Sequence, residues 1–172
     1  IFRIFAFMAD IKEEIENIFG NKLRLRVSGI CIQEDSILLI KHLSIGKKGI
    51  LWAPPGGGLQ FGETITETVK REFLEETGLL IEVGELIMVN EYLESPLHAI
   101  ELFFKVIINS GVLKKGSDPE MSPENQIISE IMFIPFEELA LLESGTLHSM
   151  FKTYKKVSDF LQPVLFQQNI NI

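Results

Sequence analysis

Residues Gly57 to Leu79 read GGLQFGETITETVKREFLEETGL, and no other stretch of this 172-residue chain limits its fold so tightly. Gly57, Glu63, Arg71, Glu72, Glu75, Glu76 and Gly78 hold fixed places in the pattern G-x5-E-x7-R-E-U-x-E-E-x-G-U, with Phe73 and Leu79 at the apolar U positions. At residue frequencies of roughly 7%, such a coincidence arises about once in 10⁹ start positions. Just upstream lies Pro54-Pro55-Gly56-Gly57-Gly58, a loop stiffened by its prolines, whose glycines permit close backbone approaches. Gly62-Glu63-Thr64 then supplies a turn glycine, an acid for the positive helix end and a capping hydroxyl. Nothing breaks a helix from Thr64 to Thr77, and Gly78 is a natural stop.

On that helix Glu72, Glu75 and Glu76 stand at i, i+3 and i+4, within about a 100° arc. Crowded carboxylates repel one another unless a cation neutralises them. Hard divalent ions suit oxygen ligands of this kind, Mg²⁺ first and Mn²⁺ second. The ordinary reading of a Glu-rich helix is a solvated face. Here Ile65, Val69 and Phe73 form an apolar stripe beside the acids, so the helix packs and its carboxylates border a core.

The segment resembles the Nudix box, the signature of hydrolases that cut nucleoside diphosphates linked to another moiety. The resemblance implies that Glu72, Glu75 and Glu76 bind the divalent ions and that Arg71 orients an acid of the cluster. It implies further that the Gly56 carbonyl completes the metal shell and that Glu63 supports the site. Glu72 is the candidate general base, with a downstream acid as the alternative. The same resemblance implies an α/β fold: a Nudix-type α/β/α sandwich with a mixed β-sheet and the box in a loop-helix-loop unit. It extends over about residues 22–142.

Composition narrows the partners. A net charge of −8 argues against binding nucleic acid duplexes, and it favours cations as a bridge to an anionic small-molecule nucleotide. The single cysteine, Cys31, lies in an apolar run and reads as a buried structural thiol in a reducing, cytoplasmic setting. Residues 1–7 (IFRIFAF) precede Met8 and are too few for a membrane span or a full signal peptide. They read as an upstream extension or an expression remnant before a single domain over residues 8–172. A homodimer stays open.

Along the chain, Asp10 to Phe19 reads as a short helix with Ile11, Ile15 and Ile18 at helical spacing and Gly20 as its stop. Strands are expected at Leu23 to Gln33, Ser36 to His42, Leu51 to Ala53, Ile81 to Tyr92, His98 to Ile108 and Ile131 to Ile134. Gly111 to Gln126 reads as a loop. Helices are expected from Pro135 to Leu142 and from Leu147 to Leu161, giving a mixed sheet between helical layers.

Outside the box, Glu124 is the preferred late acid, ahead of Glu120 and Glu130, and Glu101 could face the site. Gly57 and Gly58 are candidates for substrate contact, with Trp52, Phe61 and Tyr92 as aromatic faces for a base and Asn90 as a polar companion. His42, His98 and His148 are too dispersed to form a metal set and read as surface or strand-end residues. ADP-ribose hydrolases of the resembled family carry a proline shortly past the box, and Pro96 lies near that place. Tyr92 falls short of the tyrosine of dinucleoside polyphosphate hydrolases. The lean is to ADP-ribose or a nucleotide sugar. The alternatives are a house-cleaning triphosphate pyrophosphohydrolase and a non-catalytic nucleotide sensor on the same fold. An isomerase lacks support.

Overall fold

A computed structural model describes residues 11, 13–46, 48–119, 121–162 and 164–171. The extension at 1–7, the start at Met8, the Asp10 cap and Glu120 lie outside the described residues. Residues 13–19 form helix α1, and its last turn closes with the Gly20 N–H donating to the Glu16 carbonyl at 2.8 Å. Strands β1 (Leu23–Gln33) and β2 (Ser36–Leu43) make the expected hairpin across Gln33 and Ser36. Then come β3 (Ile50–Ala53), β4 (Gly56–Gly58) and helix α2 (Ile65–Thr77). The chain continues through β5 (Leu79–Glu94), β6 (Leu97–Gly111), β7 (Ile128–Pro135) and β8 (Leu165–Asn171).

These strands form a mixed sheet in the order β3-β2-β1-β6-β5-β8, with β4 paired to β1 and β7 to β2. β1 runs parallel to β6 but antiparallel to β4, so one strand carries the glycine loop and joins it to the sheet centre. Alternation along the strands sorts side chains to two faces. Val27, Cys31 and Leu38 join Val69 and Phe73 of α2 in one core. Ile30, Ile37, Leu39, Phe103 and Trp52 join Met150, Phe151, Tyr154 and Phe160 in the other. At Gly29 a Cβ would collide with the Phe73 ring, so that glycine lets α2 seat closely. Burial pushes the Cys31 thiol up to about 11, as a structural thiol requires.

The second helical layer differs from expectation. Residues 135–142 hold only a 3-10 turn at Leu139–Leu141, too short to nucleate an α-helix. Residues 147–161 break into 3-10 segments at Ser149–Lys152 and Val157–Leu161. The break has a local cause. Asp159 accepts the backbone N–H groups of Lys155 and Lys156 at 2.8 and 3.1 Å, which starts a new turn instead of continuing the old one. Among the described residues no helix is long and apolar enough to cross a membrane.

Candidate active site

The start of α2 is fixed by local chemistry. Thr64 caps the helix, its hydroxyl accepting the Glu67 N–H at 3.3 Å while Glu67 accepts the Thr64 N–H at 2.8 Å. Gly78 ends it in the left-handed conformation. With both ends set, the phase of the helix is set too. Val69 and Phe73 enter the core, and Glu72 and Glu76 follow them to 4% and 3% exposure. Two acids so deeply placed are not a solvated face.

Arg71 is the hub. It grips Glu63 through Nε and Nη2 at 2.8 and 3.0 Å, and Nη1 donates to Glu72 at 2.8 Å and Glu75 at 3.0 Å. Nη2 also donates to the Gly58 carbonyl at 3.3 Å. The Arg71 hydrogen bonds hold the Glu63 carboxyl below its ordinary value, and those acids raise Arg71 further still. The glycine loop meets the same acids. The Gly56 N–H donates to Glu76 at 2.8 Å, and a Cβ on Gly57 would collide with the Glu72 carboxylate. At Gly56 a Cβ would strike the Val27 carbonyl and Ser28. Both glycines are demanded by close approach. Burial, then the charge of Glu72, pushes the Glu76 carboxyl well above its ordinary range, with Asp118 adding to the rise.

The donors are hard oxygens in kind, and burial beside Glu72 disfavours the charged form of Glu76 despite the more distant Arg26; in this respect the residues fit a divalent ion. Among the described residues no three such side chains already converge in a metal-holding arrangement. Arg71 accounts for that, since it draws Glu72 and Glu75 to itself while Gly56 draws Glu76.

Other expected residues are dispersed. Glu124 is exposed on the 3-10 turn Pro123–Asn125, and Glu130 is exposed and paired with Lys41 at 2.7 Å. Phe61 is fully exposed. Tyr92 is half-buried, its hydroxyl donating to Glu94 at 3.2 Å, and burial with the Glu94 charge pushes it up to about 12. Trp52 is only 6% exposed and packs in the core.

A second polar cluster was not foreseen as a unit. Glu101 accepts the Asn90 amide at 2.6 Å and faces His148 Nε2 at 3.2 Å and Arg26 Nε at 3.9 Å. His148 Nδ1 accepts the Met150 N–H at 3.2 Å, so the proton sits on Nε2, toward Glu101. Arg26 Nη2 in turn donates to the Gly56 carbonyl at 3.3 Å, which ties this cluster to the box. His148 is thus no surface residue. The register Arg26↔Glu101 and Asn90↔Glu101 places the three polar residues in one row across β1, β6 and β5. Glu101 and Asn90 each interrupt an apolar phase of their strands, but only the pairing with Arg26 reveals the row. Asp118 was also missed. It lies on the segment that runs past the end of α2, where the Gly116 N–H donates to the Glu76 carbonyl at 2.9 Å.

Comparison with known proteins follows the same lines. The NUDIX domain family model matches residues 22–157. The chain is 39% identical over 94 residues to an ADP-ribose pyrophosphatase of Methanocaldococcus jannaschii, covering 54% of this chain and 55% of that protein. It is 35% identical over 108 residues to an 8-oxo-dGDP phosphatase of Mus musculus, covering 60% of this chain and 32% of that one. The matches thus span about half or less of these relatives' length. A solved NUDIX hydrolase from Nitrosomonas europaea shares the fold at a TM-score of 0.65 and 20% identity, covering 86% of this chain and 79% of its own.

Proposed function

Because this chain belongs to the Nudix family, we propose that it hydrolyses the diphosphate linkage of a nucleoside diphosphate joined to another moiety, using Mg²⁺ or Mn²⁺, with ADP-ribose the first substrate in line. The observation that carries this reading is the assembled box, in which Arg71 joins Glu63, Glu72 and Glu75 while Glu76 meets the Gly56 backbone.

Glu72, Glu75, Glu76 and the Gly56 carbonyl would hold the ion. When bound, it neutralises the diphosphate, polarises the P–O bond and lowers the pKa of water. The protein groups do the positioning. Glu63 locks Arg71, and Arg71 keeps like-charged acids together that would otherwise repel. Gly57 leaves room for Glu72, which takes the proton of the attacking water. Arg26 steadies the Gly56 carbonyl from the other side. We take Asp118 as the late acid in place of Glu124, because its segment lies on the end of α2 with the Gly116 N–H on the Glu76 carbonyl, while Glu124 is exposed on its turn. Phe61 and Tyr92, with the Gly58 backbone, remain our choices for the base-facing surface, and Trp52 belongs to the core.

ADP-ribose is favoured by the relative from Methanocaldococcus jannaschii. A second substrate, an oxidised nucleoside diphosphate, is favoured by the mouse relative. The test is a panel of ADP-ribose, nucleotide sugars, dinucleoside polyphosphates, 8-oxo-dGDP and nucleoside triphosphates, each with Mg²⁺ and with the Glu72→Gln variant as control. We expect AMP and ribose 5-phosphate from ADP-ribose with the wild type only. Tight nucleotide binding with no turnover across the panel would replace this reading with a sensor.

A further inference from the structure

Helix α1 precedes the residues matched by the family, yet it is not a loose end. Ile11 is buried with Met121 and Ile127 in a small separate core, with Ile15, Phe19 and Ile45 against it. The Arg24 guanidinium sits 3.7 Å from the Phe19 ring centroid, and the Asn21 N–H donates to the Pro96 carbonyl at 2.8 Å. The helix is therefore pinned on several sides.

What it grips is the loop after β6. The Glu14 carboxylate accepts the Ser122 N–H at 2.9 Å, the Ser122 hydroxyl at 3.1 Å and the Asn125 amide. Those donors open and close the 3-10 turn Pro123–Asn125. From that turn Gln126 reaches back. Its amide oxygen accepts the Asp118 N–H at 2.8 Å, and its amide nitrogen donates to the Asp118, Met121 and Ser122 carbonyls at 2.9, 3.1 and 3.3 Å. Asp118 follows the Gly116 amide that bonds to the Glu76 carbonyl. A Cβ at Gly116 would meet the Glu75 carbonyl, so this segment lies directly on the end of the box helix.

We propose that Glu14 is a positioning residue: through Ser122, Asn125 and Gln126 it fixes the loop that sets Asp118 against the acid cluster, making α1 a functional part of the metal site. This rests on the reading of the box as a metal site and adds a regulator to it. The helix contributes no ligand. It removes the freedom of a loop of polar residues that packs on the small Ile11–Met121–Ile127 core, and ligand placement of this kind is worth about 10–100-fold in metal affinity.

The test uses the full chain and Mn²⁺ alone, read from the electron paramagnetic resonance of the free ion, with hydrogen exchange of the amides of residues 116–127 and the thermal midpoint measured in parallel. Glu14→Ala should weaken Mn²⁺ binding about tenfold and speed exchange in that loop. Asp118→Asn should weaken it similarly, and the double variant should be no weaker than Asp118→Asn. Glu14→Gln, which keeps one acceptor oxygen, should recover part of the affinity. Unchanged Mn²⁺ affinity in Glu14→Ala, or a Glu14→Ala effect that persists in full beside Asp118→Asn, overturns this proposal alone. A wild-type chain that takes up no Mn²⁺ overturns it together with the metal reading.

Discussion

Alanine at position 57 asks whether the placement of Glu72 matters beyond its presence. The added Cβ would stand 2.5 Å from the Glu72 carboxyl carbon and press on its oxygens. Carbon atoms rest about 3.5–4.0 Å apart, so the carboxyl must retreat by roughly 1 Å. The backbone cannot take up the shift cheaply, because Gly57 is paired with Val27 in the ladder that joins β4 to β1. Glu72 moves instead, and its 2.8 Å bond to Arg71 lengthens or turns. A displacement of about 1 Å at a reacting group costs on the order of 10²-fold in rate, or about 2.7 kcal/mol of barrier. Overpacking removes about 1–3 kcal/mol of stability, which lowers the midpoint by several degrees and leaves the protein folded at 25 °C. Initial rates at saturating ADP-ribose and Mg²⁺ would be compared with those of Gly84→Ala, whose Cβ would meet the Lys105 carbonyl oxygen at 3.3 Å and the Lys105 Cβ at 3.9 Å. We expect a fall of about 100-fold in turnover for Gly57→Ala and wild-type turnover for the control. A folded Gly57→Ala variant within about threefold of wild type would show that Glu72 does not act where we place it.

Arg71→Ala should abolish activity and lower stability by about 2–3 kcal/mol in denaturant melts. That is below the range for a fully buried pair because the Arg71 side chain is 21% exposed while its partner Glu72 is 5% exposed. Glu75→Gln and Glu76→Gln should each reduce turnover by orders of magnitude; without divalent ions Glu76→Gln should melt higher than wild type, since burial and Glu72 oppose its charged form. At Glu101 burial alone would raise the pKa, but His148, Arg26 and Asn90 outweigh it and bring the carboxyl down to about 2 from 4.5. The stabilisation this shift carries is present above pH 4.5 and lost as pH falls toward 2. Thermal midpoints against pH should show that loss in the wild type and a flatter acid limb in Glu101→Gln.

The box was legible because its constraints are local. Thr64, Glu67 and Gly78 fix the ends of α2, and the 3.6-residue period then fixes which side of it holds Glu72 and Glu76. The six expected strands were legible in type because alternation marks them, and the ends of β1 matched to the residue, whereas β4, read as a glycine loop, and β8 were not expected. What the sequence hid was long-range. The row Arg26, Glu101, Asn90 exists only through strand register, and Asp118 nears the box only because its loop folds along α2. The segment from 147 to 161 shows helical spacing of its apolar residues, yet Asp159 diverts the backbone into two turns. A side chain competing for backbone donors leaves little trace in periodicity.

The central claim is that the acid cluster works through a divalent ion on a diphosphate bond. The most direct measurement is hydrolysis of ADP-ribose by the purified chain in Mg²⁺, then in excess EDTA, then after Mg²⁺ is restored. We predict AMP release that stops with the chelator and returns with the ion, and none at any stage from Glu76→Gln above a few per cent of wild type. Hydrolysis that continues undiminished in EDTA would contradict it.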